Sequence, residues 1–101
     1  MSVRYRARAL NDVQTIYEWR ARQSSEVAEK VEAAIFAAAD WLGEHPKFGT
    51  KTDEVDVRRW PMTDFRYTIF YRIDRDGEAI DVLRIMDARR VQNLKRVPRA
   101  L

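Results

Sequence analysis

The chain contains no cysteine, which excludes a disulfide framework and a thiolate metal site. It has one histidine, His45, so no pair of imidazoles is available to ligate a metal. Neither a metal nor a cofactor is expected. Three glycines and three prolines are spread over 101 residues, leaving no stretch with the composition of a flexible linker. No apolar run approaches the roughly 20 residues that span a bilayer. Arg4, Arg6 and Arg8 interrupt the opening segment, so it does not read as a secretory signal. These absences lead us to expect one domain over residues 1–101, cytoplasmic, with no membrane association.

Charge is present in quantity and unevenly placed. Lysine and arginine number 19 against 16 acidic residues, a net +3. Residues 1–50 carry seven of each sign, so the whole excess lies in residues 51–101. It is densest from Arg84 onward, where Arg84, Arg89, Arg90, Lys95, Arg96 and Arg99 face only Asp87. A clustered basic end suits an anionic partner, either nucleic acid or an acidic protein segment, although a solvated tail has the same composition.

Hydrophobic periodicity divides the chain. Val3, Tyr5 and Ala7 alternate with Arg4 and Arg6, the two-residue period of a half-buried strand. Leu10, Val13, Ile16 and Tyr17 then recur at helical spacing, with Asn11 and Asp12 near the expected start as candidate caps. Gln23-Ser24-Ser25 breaks the pattern, and either serine can cap a second helix. Its stripe is Val27, Val31, Ala34, Ile35, Ala38 and Leu42, with Gly43 and Pro46 expected to end it. Two helices joined this closely predict an antiparallel hairpin. Residues 47–54 read as a loop. Val55 and Val57 open a strand that Pro61 ends or marks as an edge. Phe65, Tyr67, Ile69, Tyr71 and Ile73 alternate with Arg66, Thr68, Phe70 and Arg72, the clearest strand in the chain. Asp76-Gly77 predicts the turn into a partner strand over residues 80–86. The class is α+β, in the order β-α-α-β-β-β: a helical hairpin on a mainly antiparallel sheet, with a basic C-terminal tail. The Phe65/Tyr67/Tyr71 stripe reads as core rather than as a platform for stacking bases.

Several blocks in this order resemble the RelE/ParE family of bacterial toxins. Ala9-x-x-Asp12-Val13-x-x-Ile16 is similar to its first helix, and Ala28, Ile35, Leu42 and Pro46-x-x-Gly49 to its second helix and exit. Arg58-Arg59-x-Pro61 with Arg66-Tyr67-x-Ile69-x-Tyr71-Arg72 resembles the central block. Ile80-x-Val82-Leu83-Arg84-Ile85 with Ala88-Arg89-Arg90 resembles the closing block, in a form nearer the ParE branch. The resemblance implies the toxin of a type II toxin–antitoxin pair. ParE-like members poison DNA gyrase, and RelE-like members cut messenger RNA on the ribosome. It also implies an antitoxin partner, and leaves a homodimer or a toxin–antitoxin hetero-oligomer open.

The two branches need different chemistry. RNA cleavage needs a base for the 2′-hydroxyl, an acid for the leaving oxygen, and cations for the phosphorane. Arg59, Arg66 and Arg84 could supply cations and Asp87 the acid–base group, with Arg58 and Arg72 nearby. RelE-like nucleases often carry a tyrosine or histidine near the end of the last strand, and none occurs here after Tyr71. Lys47 and Lys51 precede the strands, but their spacing does not match the RelE lysines. A gyrase poison needs no acid–base pair, because the gyrase cleaves DNA with its own tyrosine. The basic end, Arg84, Arg89, Arg90, Lys95 and Arg96, is then the candidate target surface, unless Arg84 is consumed by Asp81 or Asp87. Trp19 and Trp60 are candidate antitoxin anchors, because aromatics dominate interface hot spots. Trp60 is expected on the exposed face and Trp41 in the core. His45 and the two serines suggest solvation and capping. A toxin fold kept as a non-toxic binding module is the remaining alternative.

Overall fold

A computed structural model describes the backbone of residues 1–91 and the side chains of residues 1–89. Lys95, Arg96 and Arg99, and the side chain of Arg90, lie outside that description. In chain order the elements are β1 (Ser2–Tyr5), α1 (Ala7–Ala21), α2 (Ser25–Glu44), β2 (Thr50–Lys51), β3 (Val57–Pro61), β4 (Tyr67–Ile73), β5 (Ala79–Asp87) and a single turn, α3 (Ala88–Val91). One five-stranded sheet has the order β1-β5-β4-β3-β2. Every neighbouring pair is antiparallel except β1 with β5, which run parallel. The helical hairpin covers one face, as the periodicity requires.

The core between helices and sheet uses the stripes read from the sequence. Ala9 and Val13 of α1, and Val31, Ile35, Ala39 and Leu42 of α2, meet Tyr67, Ile69, Tyr71, Ile80, Val82 and Ile85. On β5 this set breaks strict alternation between Val82 and Ile85. Phe70 pairs with Arg84 and Tyr71 with Val82, so Leu83 is an extra residue in β5. The bulge resets the parity and keeps Ile80, Val82 and Ile85 all facing the helices.

Several boundaries differ from the sequence reading, each for a local reason. α1 begins at Ala7, capped by Arg6 with no side-chain bond, so Asn11 and Asp12 do not cap it. Ser24 does cap α2, accepting the Val27 N–H at 3.2 Å. Gly43 does not end that helix, which runs on to Glu44. It is buried where the first strand crosses: a Cβ there would stand 2.7 Å from Val3 Cγ2 and 2.9 Å from the Met1 carbonyl oxygen. The supposed loop 47–54 contributes a short edge strand, β2. Val55 lies outside β3 and is exposed, just before Asp56 turns the chain at φ +66°. Phe65 precedes β4 rather than opening it. Gly77 takes φ +72° in the predicted turn, where its N–H bonds the Asp74 carbonyl at 2.9 Å. Phe70, grouped by alternation with polar residues, is buried on the face away from the helices with Val57, against Leu83 and Met86.

Candidate functional site

Past Tyr5 the first strand leaves the sheet, and β5 loses its neighbour beyond Val82. Helix α1 takes that place. Asp12 sits three residues after buried Ala9 and beside buried Val13, so its carboxylate points at the open edge of β5. One oxygen accepts the Arg84 Nε–H at 2.7 Å and the Ile85 backbone N–H at 2.9 Å; the other accepts Arg84 Nη2 at 3.0 Å. The two side chains are only 17% and 13% exposed, so the pair is largely withdrawn from water. A fork-on-carboxylate bond of this kind is both strong and directional. The intrachain partners considered for Arg84 from the sequence were Asp81 or Asp87. The partner is Asp12, because the bulge and the missing strand turn Arg84 toward α1.

Between α1 and β5 this contact floors a cleft of about 690 Å³. Ile16, Trp19, Ile85 and Met86 line it with apolar surface, while Asp87 and Arg89 stand at one end. Trp19 is 49% exposed and available. Arg20 is set against its ring, with the guanidinium carbon 5.3 Å from the centroid, and donates from Nε to the Tyr67 hydroxyl at 3.1 Å. Arg89 is exposed and pairs with Asp87, donating from its backbone N–H at 2.9 Å and from Nη2 at 3.0 Å. Asn11, Asp12, Thr15, Tyr67 and Arg84 share the lining with these apolar side chains, so the cleft is a mixed surface whose charged groups are already paired.

Of the four groups considered for RNA cleavage, Arg84 and Asp87 are each held in an ion pair. Arg59, Phe70 and Arg84 form one rung across three strands, but the Arg84 side chain leaves that rung for Asp12. The Arg66 carbonyl accepts the Ala88 N–H at 2.7 Å, which places Arg66 beside Asp87. The Asp87 carboxylate accepts from Arg89. Among the described residues, no group of three or more His, Asp or Glu side chains is placed to hold a metal ion.

The tryptophans exchange places relative to expectation. Trp60 faces the helices, in register with Ile69, and is half-buried against the core rather than on the exposed face. Trp41 is the more exposed of the two. It stacks on Trp60 at 5.2 Å and on His45 at 4.4 Å, with Phe48 edge-on at 5.1 Å. Sequence reasoning missed Asp12 and Tyr67 as parts of the cleft, and Arg20 as the residue that holds Trp19 and Tyr67 beside it. A signal existed for Asp12: a carboxylate on the same helical stripe as Ala9 and Ile16 demands a cation from elsewhere in the chain.

The model of the ParE toxin of the type II toxin–antitoxin system parDE matches residues 3–92. The chain belongs to the ParE toxin family. It is 32% identical over 81 residues to a Sinorhizobium fredii protein named "Putative toxin Y4kP", covering 80% of this chain and 84% of that one. Its fold matches a chain of the chromosomal ParDE system from P. aeruginosa with TM-score 0.74 at 22% identity, covering 86% of this chain and 95% of the other. The isolated E. coli RelE toxin matches with TM-score 0.58 at 15% identity, covering 86% and 83%. Members of the ParE family are the toxin half of a toxin–antitoxin pair, so an antitoxin is the implied partner. Among the described residues, no helix is long and apolar enough to cross a membrane.

Proposed function

We propose that this ParE-family chain acts in the cytoplasm as a gyrase poison, halting replication until an antitoxin binds it. One observation carries the choice between poison and nuclease. Two of the four groups considered for RNA cleavage already hold ion-pair partners: Arg84 is paired with Asp12, largely out of water, and Asp87 with Arg89 at the surface. A poison needs no general base. It needs only to bind the cleaved gyrase–DNA state more tightly than the resealed one. The basic end supplies the electrostatics for that contact, with Arg89 its exposed and described member. Arg84 leaves the list of direct target contacts and becomes the residue that fixes the end of β5. The cleft beside Trp19 receives an antitoxin side chain in this reading, because an exposed tryptophan at the mouth of a pocket is a typical hot spot.

The test is to induce the protein alone in a bacterium and pulse-label DNA and protein synthesis. The expected result is that DNA synthesis stops first and trapped gyrase cleavage complexes accumulate. If protein synthesis stops first, the reading gives way to a ribosome-dependent nuclease. If neither stops while the antitoxin still binds, the chain is a non-toxic binding module.

A further inference from the structure

Asp87 is the last residue of β5, and the strand is fixed where it ends. It pairs with Tyr67 across the ladder, and the buried Tyr67 is held in turn by Arg20, whose Nε–H reaches the hydroxyl at 3.1 Å. The next residue, Ala88, donates its N–H to the Arg66 carbonyl at 2.7 Å. From this base the Asp87 carboxylate binds a single residue by both backbone and side chain. Oδ1 accepts the Arg89 backbone N–H at 2.9 Å and its Nε–H at 3.3 Å; Oδ2 accepts from Nη2 at 3.0 Å. The backbone bond is the one with which a short acceptor caps the first turn of a helix, here α3. The other two close a fork on the guanidinium. One side chain therefore sets both the path of the chain as it leaves the sheet and the orientation of the arginine.

Charge alone gives Asp87 the opposite role. Arg89 is the exposed, described member of the basic end, with 64% of its side chain open to solvent. A carboxylate 3.0 Å away subtracts from its attraction for an anionic surface. The pair is also too exposed to contribute much to the fold. What it supplies is geometry. A lone surface arginine is spread over many rotamers, and ordering it on contact opposes binding. The fork orders it before the target arrives, and engages one N–H on Nε and one on Nη2. Of the five N–H groups of a guanidinium, three are left to donate to a partner.

We propose that Asp87 is a positioning residue for target engagement: it caps the turn that follows β5 and holds the Arg89 guanidinium in the orientation that the target meets. This rests on the reading of Arg89 as a contact to the cleaved gyrase–DNA state. The test counts cleavage complexes trapped by the purified full chain on gyrase and supercoiled DNA, with urea denaturation confirming that each variant is folded. Arg89→Ala should lower trapping at least about tenfold, the loss of a charge-assisted bond. Asp87→Ala should lower it about fivefold, although it makes the surface more positive. Asp87→Asn keeps an oxygen for the Arg89 N–H and should lose less than Asp87→Ala. The double variant Asp87→Ala/Arg89→Ala should trap no fewer complexes than Arg89→Ala alone, because Asp87 acts only through Arg89. That non-additivity separates positioning from a general structural effect, which would add to the loss. Asp87→Ala trapping as many complexes as wild type, or more, means that charge governs and overturns the proposal. Additive losses in the double variant overturn it as well. If Arg89→Ala itself traps like wild type, the target surface falls and the role of Asp87 with it. If Arg89→Ala is impaired and Asp87→Ala is not, the role of Asp87 alone falls.

Discussion

At the α1–β5 cleft, one carboxylate on Asp12 holds the Arg84 guanidinium and the Ile85 N–H. At the far end of α2, Trp41, His45, Phe48 and Trp60 hold one another by ring contacts. The first arrangement is directional, and its atoms have few alternative partners once withdrawn from water. The second is spread over several rings and tolerates loss of any one. The cleft should therefore be the more brittle region, and the aromatic end the more permissive.

The sharpest way to break that contrast is Asp12→Ala. It leaves a mostly buried guanidinium unpaired and orphans the Ile85 N–H. Removing one partner of a buried pair costs about 3–5 kcal/mol, and the residual exposure here lowers the expected cost to about 2–4 kcal/mol. Urea denaturation should show the midpoint falling with little change in slope. Asp12→Asn keeps an acceptor oxygen and should cost visibly less. If both variants unfold like wild type, the carboxylate is not what closes β5.

Next in size is Tyr71→Phe, which imports the cleft's fragility to the neighbourhood of the aromatic end. The Tyr71 hydroxyl donates to the Pro46 carbonyl at 2.6 Å and accepts the buried Gly49 N–H at 2.9 Å. Losing it leaves that N–H without an acceptor and should cost about 1–3 kcal/mol. Trp41→Ala, by contrast, removes only ring contacts on a partly exposed side chain, and should cost about 1–2 kcal/mol in the same denaturation. A Trp41→Ala variant less stable than Tyr71→Phe would reverse the ranking.

How much of this was legible depended on whether a signal was periodic or pairwise. The stripes on α2 and β4 repeat over several turns or residues, and they announced the helical layer and its facing strand. The Asp76-Gly77 turn was equally local. The β5 bulge was not legible, because one extra residue leaves a run of apolar residues looking continuous. The partner of Arg84 depended on it, and so lay 72 residues away rather than across the hairpin. Trp41 and Trp60 were misassigned for a related reason. Alternation told which side of β3 Trp60 occupied relative to Val57, but not which side faced the helices; that was fixed by pairing with Ile69. The cleft was thus visible only in pieces: Trp19, Arg84, Asp87 and Arg89 were singled out, and the carboxylate joining α1 to β5 was not.

Smaller effects on stability separate function from folding within the cleft. Arg89 is exposed and its pair with Asp87 lies at the surface, so Arg89→Ala should change stability by less than about 0.5 kcal/mol. Toxicity on induction should nevertheless fall if the basic end meets the target. Trp19→Ala should likewise leave the fold intact, while weakening antitoxin binding in a titration. An Arg89→Ala variant that remains fully toxic removes the described part of the proposed target surface.

The last comparison concerns Tyr5, which combines both devices: its ring meets Phe36 edge-on at 5.4 Å, and Asp40 is near enough to oppose its ionisation. Burial is the larger cause and the carboxylate the smaller, and together they push the phenol from 10.0 up to about 12. A raised pKa favours the protonated form in the folded state. The stability tied to that proton is therefore fully present below pH 10 and is lost as pH rises toward about 12. Tyr71 is also raised, chiefly by burial, and contributes to the same alkaline loss. Tyr5→Phe should be close to neutral at pH 7 and should make the decline above pH 10 shallower without abolishing it. Asp40→Asn should lower the Tyr5 titration only slightly, since charge is the lesser cause. A large fall in that variant, followed by ultraviolet absorbance of the phenolate, would mean that the carboxylate rather than the buried ring governs this side of α2.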